Sequence, residues 1–284
     1  MTRRLGVLGW PVAHSRSPAM HNAALAALGL EDWRYQRLPV PPELLDETVR
    51  ALPDAGFVGA NVTIPHKRAA LALADSASTA ASEIGASNTL TFGAGGEIAA
   101  DNTDAPGLLA ALGFSPAGMR AVVLGAGGSA RAAVWALREA GAADIAVWNR
   151  TGARAQALAE EFGVRTVPTP VPADLLVNCT SVGLDAPSDT AQGVQRTNSV
   201  ELLASDTSGL NQLGLTFDAL GEYANVVDLV YRSHTTDLLA AARVHGARTV
   251  DGLDILIAQG ALSLEIWTGR PAPLQAMRAA VRDT

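Results

Sequence analysis

The feature that most constrains this chain is a glycine turn, Gly125-Ala126-Gly127-Gly128-Ser129-Ala130, set between an apolar run at 121–124 and a helical stretch at 131–140 that Gly141 closes. A strand that runs straight into a helix through glycines belongs in a parallel sheet whose faces are covered by helices. The rest of the sequence agrees. Apolar, β-rich runs at 5–9, 33–38, 59–63, 145–148, 175–179 and 226–230 alternate with alanine-rich stretches of helical composition, which predicts an α/β protein. One such helix, 17–28, has Ser17 placed as N-cap, Pro18 at its first position and Gly29 as its stop. Further helical segments are expected near 236–245 and 253–267. The polar tract 183–217 reads as a surface excursion with one helical turn at 200–204.

At 284 residues the chain is long for one core, so two domains and a cleft are expected. We expect an α/β domain over 1–104, a dinucleotide-binding domain over 105–235, and helices over 236–284 that return to the first domain. A net charge of −7 argues against nucleic acid as a partner. No run is apolar for long enough to span a membrane. The first residues meet Pro11, His14 and Arg16 too soon for a signal peptide. A single cysteine, Cys179 in an apolar run, excludes an internal disulfide and fits a reducing cytoplasm.

Gly125, Gly127 and Ala130 form G-x-G-x-x-A at a strand-to-helix junction. The first glycine permits the tight turn, the second admits a pyrophosphate to the backbone, and the small third residue lets helix and strand pack closely. Phosphate would then meet the free amides of the helix N-terminus. The next strand tells which dinucleotide. An NAD site carries an acidic residue about 20 positions beyond the glycines, whereas this strand ends in Asn149-Arg150-Thr151 with Arg154 following. Asp144 precedes the strand and reads as a turn residue. Two guanidiniums at a helix start oppose the helix dipole, and a 2′-phosphate would resolve that mismatch, so NADP is expected.

Lys67 is the only lysine among 21 basic side chains. Arginine holds its proton near neutral pH, so the one amine is the candidate proton-transfer group. It closes Asn61-Val62-Thr63-Ile64-Pro65-His66-Lys67. His14, His21 and His66 are not at metal-ligand spacing, and no metal is expected.

Four clusters then resemble the shikimate dehydrogenase family in identity, order and spacing: residues 9–18 with His21-Asn22, 61–67, Gly85-Ala86-Ser87-Asn88-Thr89, and Asn102-Thr103-Asp104. The similarity continues through the glycine turn, Asn149-Arg150-Thr151, Asn178-Cys179-Thr180-Ser181, Asp228-Leu229-Val230-Tyr231, and 252–259 with Trp267-Thr268-Gly269. The resemblance implies an N-terminal substrate domain, a Rossmann-type domain, and NADPH-dependent reduction of 3-dehydroshikimate to shikimate on the route to chorismate and the aromatic amino acids. It puts the catalytic pair on Lys67 and Asp104. It also implies that Ser15, Ser17 and Tyr231 bind the substrate carboxylate, that Thr63, Asn88 and Gln259 hold hydroxyls or the carboxylate, and that Leu229 and Gly252 sit beside the nicotinamide. Each has a plainer reading as well: Asp104 and Ser17 as helix caps, Asn88 as a turn former, Tyr231 and Gln259 as packed polar groups. A relative acting on quinate or aminoshikimate, with NAD or NADP, and a silent NADPH-binding sensor are the alternatives. A monomer or homodimer is expected.

Overall fold

The computed structural model describes residues 2–184, 208–232 and 234–282. It divides into two compact units, Met1–Ala110 with Leu256–Thr284, and Ala111–Ile255. The helical turn expected at 200–204 lies outside the described residues.

The first unit is built on a six-stranded sheet of β1 (Arg3–Gly9), β2 (Trp33–Pro39), β3 (Phe57–Val62), β4 (Ser76–Ala77), β5 (Thr89–Phe92) and β6 (Ile98–Asp101), in the order β2-β1-β3-β5-β6-β4. β1 lies parallel to β2 and β3, while β5 runs antiparallel to β3 and β6. The reversal is local in origin: Gly93-Ala94-Gly95-Gly96 is too short for a crossover and closes a hairpin instead. Leu5 and Leu8 of β1, an interior strand, are fully buried, and Leu8 joins Val49, Phe57, Val62, Leu90 and Ile98 in one apolar cluster. Truncating such a leucine to alanine costs about 2 to 5 kcal/mol.

Helix Ser17–Ala27 begins one residue before the expected start. Ser17 is its first residue and not its N-cap; the Arg16 backbone takes the cap position, and the Ser17 N–H donates to Ser15 Oγ at 3.3 Å. Gly29 ends the helix region at φ +67°, where a side chain would be strained. Helices Leu45–Ala51, Lys67–Ala72 and Thr79–Ile84 and strands β4 to β6 were not legible in the sequence. Most are too short to show a period.

Within this unit the C-terminal segment folds back on residues from the start of the chain. Helix Leu274–Arg282 packs along Ser17–Ala27, and Arg16 Nη1 donates to the Val281 carbonyl at 2.6 Å. Gly107 of helix Asp104–Leu112 faces Gln259 of helix Gly252–Thr268 so closely that a Cβ at position 107 would stand 2.7 Å from the Gln259 Cβ. The missing side chain is what lets the two backbones meet.

The second unit carries a wholly parallel sheet of β7 (Arg120–Leu124), β8 (Asp144–Trp148), β9 (Arg165–Thr166), β10 (Ala173–Asn178), β11 (Tyr223–Asp228) and β12 (Arg248–Val250), ordered β12-β11-β10-β7-β8-β9. This is the doubly wound Rossmann order, which reverses between β7 and β10. The strands read as continuous apolar runs because helices cover both faces; Val122, Leu124, Leu175, Leu176 and Val226 have no exposed surface. Cys179 is buried beside them. Asp144 starts β8 and does not belong to a turn; Arg165 Nη2 of β9 meets its Oδ2 at 2.7 Å.

The units differ from the expected division at two places. Helix Asp104–Leu112 runs through the expected boundary after residue 104. Residues 236–255 belong to the second unit, because β12 extends its sheet beside β11; the return to the first unit starts only at Leu256. A three-residue strand leaves too little pattern to be read. Among the described residues no helix is long and apolar enough to cross a membrane.

Candidate active site and dinucleotide turn

Lys67 opens helix Lys67–Ala72, directly after the end of β3 and a turn through Pro65. His66 anchors that turn, its Nε2 lying 2.7 Å from the Val40 carbonyl. Thr63, partly buried in the same turn, donates its N–H to the Leu8 carbonyl at 2.8 Å. Lys67 Nζ stands 2.6 Å from Asp104 Oδ2, and the two side chains are only 11% and 15% exposed. At that exposure water screens little, and the ammonium has a fixed address.

Asn102 holds the Asp104 backbone and Asn88 its carboxylate. Asn102 Oδ1 accepts the N–H groups of Asp104 (3.1 Å) and Ala105 (3.3 Å), so Asn102 caps helix Asp104–Leu112. The capping role read for Asp104 is thereby taken by its neighbour. Asn88 is buried, and the backbone N–H of Thr103 donates to its Oδ1 at 2.7 Å. A backbone N–H can only donate, so the amide nitrogen must face the other way, where Asp104 Oδ1 and Gln259 Oε1 each lie at 3.0 Å. Gln259 Nε2 donates to the Leu256 carbonyl at 2.8 Å, which fixes its own amide. Asn88 is therefore a hub and not a turn former. Lys67, Asp104, Asn88 and Gln259 form one connected group.

Ser15 and Ser17 form a second group in this unit. Both are nearly inaccessible, and the Ser15 carbonyl accepts Arg37 Nη2 at 2.6 Å and Nε at 3.2 Å. Sequence reasoning missed Arg37 and Asn102 as supports; an asparagine two residues before the first helical residue was the available signal for the latter. His21 is fully buried and stacked on Tyr35 with ring centroids 4.3 Å apart, and among the described residues neither ring nitrogen meets a partner at full hydrogen-bond geometry. Burial pushes its pKa down to about 3, with the nearby Asn61 amide opposing only in part.

In the second unit the glycine turn leaves the C-terminal end of β7 beside the strand-order reversal, the place where open α/β sheets bind ligands. Gly125 has φ +113°, and a Cβ there would stand 3.2 Å from the Cys179 carbonyl group, so only glycine fits. Gly127 is the N-cap of helix Gly128–Glu139 and has open space around it; the first helical turn holds no acidic residue, and Ala130 is fully buried. Ala126 and Ser129 are partly exposed on the same turn. Asn149 Nδ2 donates to the Thr151 carbonyl at 3.0 Å, shaping the turn after β8. Thr151, Arg150 and Arg154 are exposed at the start of helix Gly152–Phe162, and neither arginine has an ion-pair partner among the described residues. An open glycine turn with two uncommitted guanidiniums suits a phosphorylated dinucleotide.

Leu229 and Gly252 come together: a Cβ on Gly252 would lie 2.6 Å from the Leu229 carbonyl oxygen. Tyr231 follows on the same loop, partly buried. Asp228 at the end of β11 is buried, accepting Asn178 Nδ2 (2.9 Å), the Val230 N–H (3.1 Å) and Thr236 Oγ1 (2.7 Å). Burial pushes its carboxyl up to about 6, against those hydrogen bonds and the charge of Arg232. Among the described residues no group of His, Cys, Asp or Glu is placed to hold a metal ion.

Comparison with known proteins shows the family. Residues 7–90 match the model of the shikimate dehydrogenase substrate binding domain, 109–177 that of shikimate/quinate 5-dehydrogenase, and 252–282 that of the shikimate 5′-dehydrogenase C-terminal domain. A Methanopyrus kandleri protein named shikimate dehydrogenase (NADP(+)) is 42% identical over 300 residues, covering 99% of this chain and 96% of that one. One from Methylobacterium radiotolerans, of the same name, is 44% identical over 287 residues, covering 96% and 93%. The crystal structure of shikimate 5-dehydrogenase from Thermus thermophilus, in complex with NADP(H) and shikimate, superposes with a TM-score of 0.81 at 42% identity and covers 99% of both chains. The chain belongs to the shikimate dehydrogenase family.

Proposed function

We propose that the protein is an NADP-dependent shikimate dehydrogenase that interconverts 3-dehydroshikimate and shikimate. The observation that carries the reading is the buried 2.6 Å pair of Lys67 Nζ and Asp104 Oδ2, made by the chain's single lysine. NADPH, when bound, supplies the hydride. The residues of the glycine turn, Gly125 to Ala130, would hold its pyrophosphate; Asn149, Arg150, Thr151 and Arg154 would hold the adenosine ribose and 2′-phosphate; Leu229 and Gly252 would wall the nicotinamide.

Ketone reduction also needs a proton at the carbonyl oxygen and a ring that cannot turn over. Lys67 gives that proton, and its three N–H bonds let it keep one on Asp104 while another points at substrate. Asp104 accepts from the ammonium and from a ring hydroxyl, so the group that orients the acid also orients the substrate. Thr63, Asn88 and Gln259 hold further hydroxyls or the carboxylate. Ser15, Ser17 and Tyr231 bind the carboxylate, away from the reacting carbon. In the reverse direction Lys67 takes the hydroxyl proton back. The enzyme is read as cytoplasmic, and as a monomer or homodimer.

The test is a steady-state assay of shikimate and quinate with NADP and NAD. Turnover of shikimate with NADP at the highest kcat/KM supports the reading. Preference for quinate or NAD would replace it with the quinate-type activity, and tight NADPH binding without any turnover would make the protein a sensor.

A further inference from the structure

Ser263 is fully buried in helix Gly252–Thr268, one helical turn after Gln259. Its Oγ lies within hydrogen-bond distance of Asn61 Nδ2 (2.9 Å), Thr89 Oγ1 (2.8 Å), Thr103 Oγ1 (3.0 Å) and the Gln259 carbonyl (3.1 Å). These groups come from β3, from β5, from the turn ahead of helix Asp104–Leu112, and from the helix itself. Their directions are largely forced. Asn61 Nδ2 also donates to the Asn88 carbonyl (3.1 Å), while its Oδ1 accepts the Tyr35 hydroxyl (2.7 Å), so the nitrogen must face Ser263. Ser263 Oγ accepts there and has one proton and one lone pair left for the threonines and the Gln259 carbonyl.

Both threonine hydroxyls also stand 3.2 Å from Asn88 Oδ1, and Thr103 Oγ1 accepts Asn88 Nδ2 at 2.9 Å, so Ser263 shares the threonines with that amide. That is the amide whose nitrogen holds Asp104. We propose that Ser263 is a positioning residue for the Lys67–Asp104 pair: by engaging Thr89, Thr103 and Asn61 it keeps Asn88 in the orientation that fixes the Asp104 carboxylate. Without the hydroxyl, Asn61, Thr89, Thr103 and the Gln259 carbonyl each lose a partner in a buried setting. The threonines then turn onto Asn88 Oδ1 and draw the amide from Asp104. The inference rests on the reading of Lys67 and Asp104 as the catalytic pair, but its physical claim has a readout that needs no turnover.

The single lysine supplies that readout. Wild type, Ser263→Ala, Ser263→Cys, Asn88→Ala and the Ser263→Ala/Asn88→Ala double variant are labelled with trace acetic anhydride, and acylation of the Lys67 peptide is followed by mass spectrometry. Ser263→Ala is expected to raise the Lys67 acylation rate several-fold, lower kcat about tenfold, and leave the KM for NADP within about threefold. Ser263→Cys, of similar size but a weak hydrogen-bonding group, is expected to behave as the alanine variant. The double variant should differ little from Asn88→Ala, since both changes act through one amide. Unchanged labelling and kcat in a folded Ser263→Ala protein would overturn the proposal. So would a cysteine variant that matches wild type, which would assign Ser263 to packing alone. If wild type does not turn over shikimate, the proposed function fails while the labelling comparison still decides the role of Ser263.

Discussion

Asn102 caps the helix that Asp104 opens: its Oδ1 accepts the Asp104 N–H at 3.1 Å, and the Asp104 carboxylate is thereby left free to meet Lys67 at 2.6 Å. Two neighbouring polar residues divide work that a single aspartate at a helix start would otherwise have to combine. Asn102→Ala is expected to destabilise the protein by about 1 kcal/mol, the usual worth of a cap. It should also lower kcat, because Asp104 becomes the nearest acceptor for the exposed amides. Urea titration and steady-state kinetics measure the two effects; lost stability with unchanged kcat would show that the carboxylate does not depend on its neighbour.

Lys67→Arg retains the positive charge beside Asp104 and loses the labile proton. Turnover should fall by the roughly 10²- to 10⁴-fold that a general acid contributes. A kcat within about threefold of wild type would exclude Lys67 as the donor. Shikimate should also protect wild type from inactivation by amine reagents.

Ser15→Ala and Ser17→Ala should raise the KM for shikimate and leave kcat nearly unchanged, because carboxylate binding is remote from the reacting carbon. Each lost hydrogen bond to a charged group is worth about 1.5 to 3 kcal/mol. Ser17 lacks the capping bond expected of it, so its variant should melt close to wild type. Unchanged KM in both variants would send the carboxylate elsewhere.

Arg150→Ala should reduce kcat/KM for NADP by roughly 10- to 100-fold and alter NAD little, since NAD has no 2′-phosphate. The two cofactors are compared at saturating shikimate. Equal loss with both would make the arginine structural.

The buried groups of the two units have opposite pH dependence. His21, held down to about 3, stays neutral when folded, whereas the unfolded chain takes a proton below about 6.5. Its contribution to stability is full above about 6.5 and is lost as pH falls toward 3. Asp228, pushed up to about 6, holds a proton that the unfolded chain has released above 3.8; its contribution is present at low pH and is lost as pH rises through about 6. Between pH 4 and 6 the stability of wild type relative to His21→Phe should fall on acidification, and that relative to Asp228→Asn should rise, each by about 1.4 kcal/mol per pH unit at most. Differences that do not vary with pH would contradict both assignments.

The sequence by itself determined the parts of this protein that are local. A strand entering a helix through Gly125 needs a conformation that glycine adopts without strain, and Gly127 leaves the next turn open, so the turn and the parallel sheet around it were legible. The absence of a carboxylate after β8 and the uniqueness of Lys67 are likewise properties of the chain, and the ordered motifs carried the family. The tertiary structure alone decided which polar side chains meet. Asn88 lies 171 positions from Gln259, and Asn61 lies 202 positions from Ser263. No sequence pattern links such residues, because their contacts arise only when β3, β5 and the helix Gly252–Thr268 are packed. The same holds for β12, whose three residues form a strand only because β11 offers an edge. Ser263 lay unmarked in an apolar helix, since hydrogen-bond direction is a property of the fold: each donor is fixed by the acceptor that burial leaves it.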